Sequence, residues 1–288
     1  MTTAVAAPFR FFSLRVVRTR RLGPSLVRIT FGGSDLAHFR SHGRDQSLSL
    51  FLPHPGQHEP AVPVELGDGW WQGWRELPDD VRAVMRSYTL RSLRRDALGD
   101  TAEIDIDFVL HGVEPGAAAP AGPASRWASR AAAGDRVKLL GPAVADNRAI
   151  RFRPPEDTDL VLVWGDETAL PAVSSILESL PAGTRARVWL EAHHAGTVQD
   201  LATRADAEIT WLLRDGHTAA DHPLALDALR AAHLPAAQHP YVWIAGESGC
   251  VKQLRRHFVG ERGIDRRRVT FVGYWRQGLS EEQLREQE

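Results

Sequence analysis

"TDLVLVWGDETALPAVSSILESLP", residues 158–181, decides the architecture. Leu160 to Trp164 are apolar without a break, as in a strand buried on both faces. Gly165 opens a turn through Asp166 and Glu167, and the apolar positions that follow recur at helical spacing. Working outward, "RARVWLEAHH" (185–194) and "AEITWLLRDG" (207–216) read as further buried strands. "PYVWIAGESGCVKQLRRHFVGERG" (240–263) repeats the strand, glycine turn and helix, and "RRVTFVGYW" (267–275) closes as a strand. Strands that alternate with helices predict a Rossmann-like parallel sheet with helices on both faces, which binds its ligand at the carboxyl ends of the strands.

The first half reads differently. "FSLRVVRTRRLGPSLVRITFGG" (12–33) predicts two strands about a Gly23-Pro24 turn, and "SLSLFLP" (47–53), "RSYTLRSL" (86–93), "EIDIDFVLHG" (103–112) and "DRVKLLGPA" (135–143) continue the series. Such short strands between turn signals predict an antiparallel six-stranded β-barrel. Residues 54–80, rich in Pro, Gly and Trp, read as a long loop, and 112–125 as a Gly/Ala/Pro loop. "RFRPPEDTD" (151–159) marks the hinge, so the expected fold is a two-domain β + α/β chain, residues 1–150 and 151–288, ending in the short amphiphilic helix "LSEEQLREQE".

Composition narrows the function. A formal net charge of −1 over 288 residues leaves no global field to hold nucleic acid or an anionic membrane. The single cysteine, Cys250, excludes an internal disulfide framework and any all-cysteine metal site, and the 12 histidines are scattered without metal-ligand spacing. Arg10, Arg15 and Arg18 interrupt the N-terminal apolar residues, and no run approaches a membrane span. A cytoplasmic monomer that neither enters the membrane nor binds nucleic acid is expected.

Three places offer ligand chemistry. In "RSYTLR" (86–91) a cation, an aromatic ring and a hydroxyl follow one another, as a flavin dinucleotide needs: Arg for phosphate, a ring face for the heterocycle, a hydroxyl for a ring nitrogen. A strand with surface arginines explains the same six residues equally well. In "GPASRWA" (122–128) small residues would let helix-start amides approach an anion, or Ser125 is an ordinary cap. The turns "GDETALPA" (165–172) and "AGESG" (245–249) face the same way, but lack a G-x-G-x-x-G pattern, and Asp166 and Glu167 would repel phosphate.

Together, "RSYTLR", "DIDFVLHG" (105–112), "GPASRWA", "GDETALPA", "AGESG" and "GYWRQG" (273–278) resemble, in order, the siderophore-interacting proteins, flavin-dependent ferric-siderophore reductases of the ferredoxin–NADP reductase-like superfamily. The resemblance implies FAD on the barrel and NADPH or NADH on the α/β half, with electrons passing from NAD(P)H through FAD to the Fe3+ of a ferric siderophore and Fe2+ released for iron assimilation. It implies that Arg86 holds FAD phosphate, Tyr88 stacks on the isoalloxazine, Thr89 addresses its N5 region, and Leu90 and Arg91 complete the clamp. Asp107, Val109 and His111 would line the cofactor, Ala124 and Ser125 would serve its diphosphate, and Trp127 would pack nearby. Asp166, Glu167, Thr168, Gly246 and Glu247 would form the nicotinamide-nucleotide side, and Tyr274 or Trp275 would shield the flavin. Arg276, Lys252, Arg255 and Arg256 are the candidate cations for the anionic ferric complex. "DQSLSL" (45–50) departs from the family by placing Ser49 where a substrate-facing lysine is common. Glu191 stands where an acid could prefer NADH and Arg214 is the candidate for a 2′-phosphate, and the resemblance favours NADPH as donor. The same fold with ferredoxin as donor, with a protein acceptor, or as a siderophore-binding flavoprotein without catalysis are the alternatives.

Overall fold

The structure, a computed structural model, describes residues 7–113, 120–214, 224–279 and 283. The chain divides into two compact units, residues 1–150 and 151–288.

The first unit is one curled antiparallel sheet. Its strands are β1 (Phe9–Arg21), β2 (Leu26–Gly32), β3 (Ser47–Leu52), β4 (Val84–Thr89), β5 (Ser92–Arg95), β6 (Thr101–Val109) and β7 (Arg136–Pro142), in the order β4-β3-β7-β1-β2-β6-β5. Seven strands stand where six were expected, because 86–95 is two strands and not one. The break is tertiary in origin: Leu90 donates its amide to the Gln46 carbonyl (2.9 Å) and Arg91 donates to that of Asp105 (2.9 Å), so consecutive residues bond to opposite edges of the curl. Strand alternation places Phe12, Leu14, Ile29, Phe31, Ile104, Ile106 and Phe108 in one apolar interior. On the other face of β6 the acids are covered by arginines: Arg94 grips Asp105 and Arg28 grips both oxygens of Asp107.

The stretch 54–80 is more ordered than its composition suggests. It forms a 3-10 turn and then α1 (Trp70–Glu76). Trp70 and Trp74 share a helical stripe and pack edge-on against Phe51, forming a small second core outside the curl. Helix α2 (Pro123–Arg130) packs on β2, β4 and β6.

The second unit is a parallel sheet of β8 (Leu160–Gly165), β9 (Arg185–Ala192), β10 (Asp206–Leu213), β11 (Pro240–Glu247) and β12 (Val269–Trp275), in the order β10-β9-β8-β11-β12. Its helices are α3 (Leu170–Ser179), α4 (Leu224–Ala231) and α5 (Ser248–Arg256). Leu160, Leu162 and Trp164 share a cluster with Ala225 and Leu229 of α4 and Val251 and Leu254 of α5. The opposite face of β8 meets α3: a Cβ on Gly165 would lie 2.9 Å from Ala169 Cβ and 3.1 Å from Val173 Cγ2. Helices therefore cover both faces, and the glycine that ends β8 is required by the closeness of α3. Residues 114–119 of the Gly/Ala/Pro loop and nearly all of the expected C-terminal helix lie outside the described residues.

Candidate functional site

In the first unit, β4 and α2 bring the flavin candidates together. Val84, Arg86 and Tyr88 alternate onto one face of β4, and the Tyr88 ring lies 4.3 Å from that of Phe108 at a 47° tilt. Phe108 in turn lies 5.9 Å from Trp127 of α2, which stacks at 8° over Phe31. Tyr88 and Trp127 are thus fixed by the interior of the curl. Arg86 is half-buried, with its guanidinium on the Met85 carbonyl at 2.7 Å. Thr89 is buried at the end of the strand, opposite Ser47. That end is held by a group with no signal in the local sequence. Gln46, fully buried, accepts the Leu90 amide with its carbonyl, and its side chain bonds Asn147 in both directions (3.1 and 2.8 Å). Asn147 lies 101 residues away, so no local pattern announces the pair.

Helix α2 starts at Pro123, with no side chain capping it, and a Cβ on Gly122 in front of it would meet nothing within 4 Å. The amides of Ala124 and Ser125 have no acceptor within the helix. The Ser125 hydroxyl is engaged, accepting from the His111 amide (3.2 Å) and donating to the Val109 carbonyl (3.3 Å), so it ties the helix to the end of β6. Asp107 is spent on Arg28. Along α2 runs a cavity of about 680 Å³, lined among others by Leu52, His54, Val84, Arg126, Trp127 and Arg130. Pro123, Arg126, Trp127 and Arg130 form a single i, i+3, i+4, i+7 stripe. That spacing is legible in "GPASRWASR", although its small residues are what first draw attention. Open helix-start amides, a glycine with free space before it, two arginines and an aromatic edge are a donor set that fits a flavin adenine dinucleotide.

In the second unit, the carboxyl ends of the strands are crowded with acids that serve the protein itself. The buried Asp166 carboxylate accepts five bonds: from the amides of Thr168 (2.9 Å) and Ala169 (3.3 Å), the Thr168 hydroxyl (2.5 Å), the Glu247 amide (2.8 Å) and the Trp275 indole N–H (2.8 Å). One side chain thereby joins β8, β11 and β12 and fills the start of α3. Burial pushes this carboxyl up, and the bonds from Thr168, Trp275 and Glu247 oppose the shift. Gly246, at φ 146°, exists for it: a Cβ there would lie 2.5 Å from Asp166 Oδ2. Glu247 caps α5 by accepting the Cys250 amide at 2.8 Å. Glu167 accepts the His193 amide (2.9 Å) and faces its Nδ1 at 3.6 Å, which raises the His193 pKa. Glu191 is ion-paired with Arg214, and both are buried. Burial pushes the Cys250 thiol up, so it is an inert packing group.

The substrate cations do not converge. Arg276 follows the carboxyl end of β12 and is exposed. Lys252, Arg255 and Arg256 lie on the solvent face of α5, and Arg255 sits over the Phe271 ring at 4.4 Å, a structural seat. Tyr274 is half-buried near the end of β12. Ser49 pairs with Ser87 and Leu140, presenting no charge in mid-sheet. Among the described residues no helix is long and apolar enough to cross a membrane.

Comparison with known proteins agrees over both units. A family model described as "Siderophore-interacting FAD-binding domain" matches residues 15–146, and one described as "Siderophore-interacting protein" matches 158–278. The chain is 32% identical to the NADPH-dependent ferric-chelate reductase of Escherichia coli K12, covering 92% of this chain and 93% of that one. It is 28% identical to the ferric vibriobactin reductase ViuB of Vibrio cholerae, over 95% and 92% of the two chains. Among solved structures, the siderophore-interacting protein SipS of Aeromonas hydrophila superposes with a TM-score of 0.75 at 30% identity, over 96% of each chain. With matching sequence, matching coordinates and nearly full coverage on both sides, the chain belongs to the siderophore-interacting protein family.

Proposed function

We propose that this protein is a flavin-dependent reductase of ferric siderophores, with FAD held by the first unit and NADPH or NADH as electron donor to the second. The observation that carries the reading is the donor set along α2, where uncapped helix-start amides and the Arg126–Arg130 stripe stand beside the β4 face that bears Arg86 and Tyr88. Its placement in a chain matched end to end by reductases of ferric chelates supplies the substrate class.

A nicotinamide hydride carries two electrons and Fe3+ accepts one, and bound FAD supplies the conversion between the two. The protein's own part is position and electrostatics. Arg86 and the amides of Ala124 and Ser125 would hold the diphosphate, and Arg126 and Arg130 the adenylate half along the cavity. Tyr88, braced by Phe108, would offer its ring to the flavin, and the Gln46–Asn147 pair would keep Thr89 and Leu90 in place beneath it. No protein nucleophile or metal is needed. Hard Fe3+ binds anionic oxygen ligands tightly, and Fe2+ binds them less tightly, so reduction is release. With Ser49 in place of a lysine, Arg276 is the cation we assign to the ferric complex, and a weakly charged hydroxamate complex fits better than a highly anionic catecholate.

The balance fixes the test: one NAD(P)H and two ferric chelates yield NAD(P)+, two Fe2+ and one proton. With the FAD-loaded protein under argon, ferric hydroxamate siderophore and ferrozine as Fe2+ trap, two Fe2+ are expected per nucleotide consumed. Nucleotide consumption that needs oxygen and yields no Fe2+ would contradict the reading.

A further inference from the structure

Strand β12 is the last of its sheet, and among the described residues its outer edge pairs with no other strand. The N–H and C=O groups of such an edge are open to another chain. The ladder to β11 on the inner side is regular from Val269 to Gly273, so the edge is unbroken over that span. Packing defines its two faces. Val269 joins the cluster beneath α5, Phe271 lies under the Arg255 guanidinium at 4.4 Å, and a Cβ on Gly273 would meet Ser248 Oγ at 2.5 Å, so these three face α5. Thr270, Val272 and Tyr274 face the other way and are half-buried.

The rim of this edge is basic. Ser248 donates to the Trp275 carbonyl and Arg255 covers Phe271, so both reach β12. Lys252 stands between them on one helical stripe (i, i+4, i+7), with Arg256 beside it. Arg266 and Arg267 lead directly into the strand. Lys252, Arg255, Arg256, Arg266 and Arg267 are all exposed, and none forms an ion pair among the described residues. The neighbouring acids are engaged: Asp265 accepts the Arg267 amide, Asp157 holds Arg268, and Glu247 caps α5. Phe271 remains 44% exposed even with Arg255 over it.

Charge alone would attract an anionic lipid surface or an acidic protein. The open edge separates the two, because an extended chain offers a ladder of N–H and C=O groups and lipid headgroups do not. A second copy of β12 would bring like cations against these and be repelled. We infer that the β12 edge is a docking surface for an extended acidic segment of a partner protein. The segment adds to the five-stranded sheet as a further strand, with its acids toward α5 and its apolar residues toward Val272 and Tyr274.

The test uses the FAD-loaded full chain and a fluorescein-labelled, end-blocked peptide of alternating Glu and Val, about nine residues long so as to span β12. Fluorescence anisotropy at low salt is expected to show saturable binding, weakened about tenfold or more in about 0.5 M salt. The same peptide with Lys for Glu is expected not to bind. Proline in place of the central valines keeps the charge but removes N–H groups from the ladder, and is expected to weaken binding about tenfold or more. Lys252→Glu combined with Arg256→Glu should abolish binding, with circular dichroism checking the fold. The peptide comparisons on the wild-type chain stand whether or not that variant folds. No binding of the Glu–Val peptide, equal binding of its proline form, or unchanged binding by the folded variant overturns the inference. Co-sedimentation with phosphatidylglycerol vesicles in the absence of peptide binding would assign the cations to a lipid surface and overturn it as well.

Discussion

Arg86→Ala is expected to fold and to purify without its flavin. Arg86 lies on the face of β4 that continues from Val84, a wall of the α2 cavity, to Tyr88, which is packed on Phe108. In the proposed site its guanidinium would be the cation offered to a diphosphate, and the sequence of α2 holds no competing acid. A charge-assisted hydrogen bond lost from a binding site costs about 1.5–3 kcal/mol, or roughly a ten- to hundredfold weaker FAD affinity. The strand itself keeps its backbone pairing with β3, so stability should change little. Titration of apoprotein with FAD, followed by flavin fluorescence, checks the loss, and an unchanged Kd would remove Arg86 from the site. Arg86→Lys keeps the charge without the planar fork and should recover part of the affinity.

Asp166→Ala is expected to be the most damaging single change in the second unit. The carboxylate accepts five bonds from β11, β12 and the start of α3, and its removal leaves the part-buried N–H groups of Glu247 and Trp275 without that acceptor. Breaking such a buried charged hub costs about 3–5 kcal/mol. Asp166→Asn should also be costly, because its amide N–H₂ would confront either the Glu247 and Trp275 donors on Oδ2 or the Thr168 and Ala169 amides on Oδ1. Urea unfolding followed by circular dichroism gives the loss, and the Trp275 indole N–H resonance should move as its bond to Oδ2 disappears. A loss below about 1 kcal/mol would show that the three strand ends are held by something else. Gly246→Ala tests the same hub from its other side, since the added Cβ would meet Oδ2 at 2.5 Å.

The two cases differ in how far the sequence announces them. "RSYTLR" and "GPASRWA" are contiguous, so their chemistry is readable in the order of residues alone. The role of Asp166 is not, because its partners Glu247 and Trp275 lie 81 and 109 residues away. Read locally, Asp166 is a helix cap or a group that repels phosphate. Asp107 was likewise expected at the cofactor, and its partner Arg28 is 79 residues distant. The parallel sheet is plain in the apolar run 160–164, since burial on both faces leaves no room for polar alternation. The break after Thr89 is hidden, because "RSYTLRSLRR" contains no Gly, Pro, Asn or Asp and the bend comes from bonds to Gln46 and Asp105. Helix α1 is masked by the prolines and glycines around it, although Trp70 and Trp74 stand at helical spacing.

The central claim, electron transfer from a nicotinamide nucleotide through FAD to a ferric siderophore, is tested most directly by one anaerobic absorption experiment. The purified, FAD-loaded protein is mixed with NADH or NADPH and then with a ferric siderophore. The account predicts that the flavin band bleaches with the nucleotide and returns in full on adding the ferric complex, without oxygen. A band that bleaches but stays bleached in the presence of the ferric complex would contradict it.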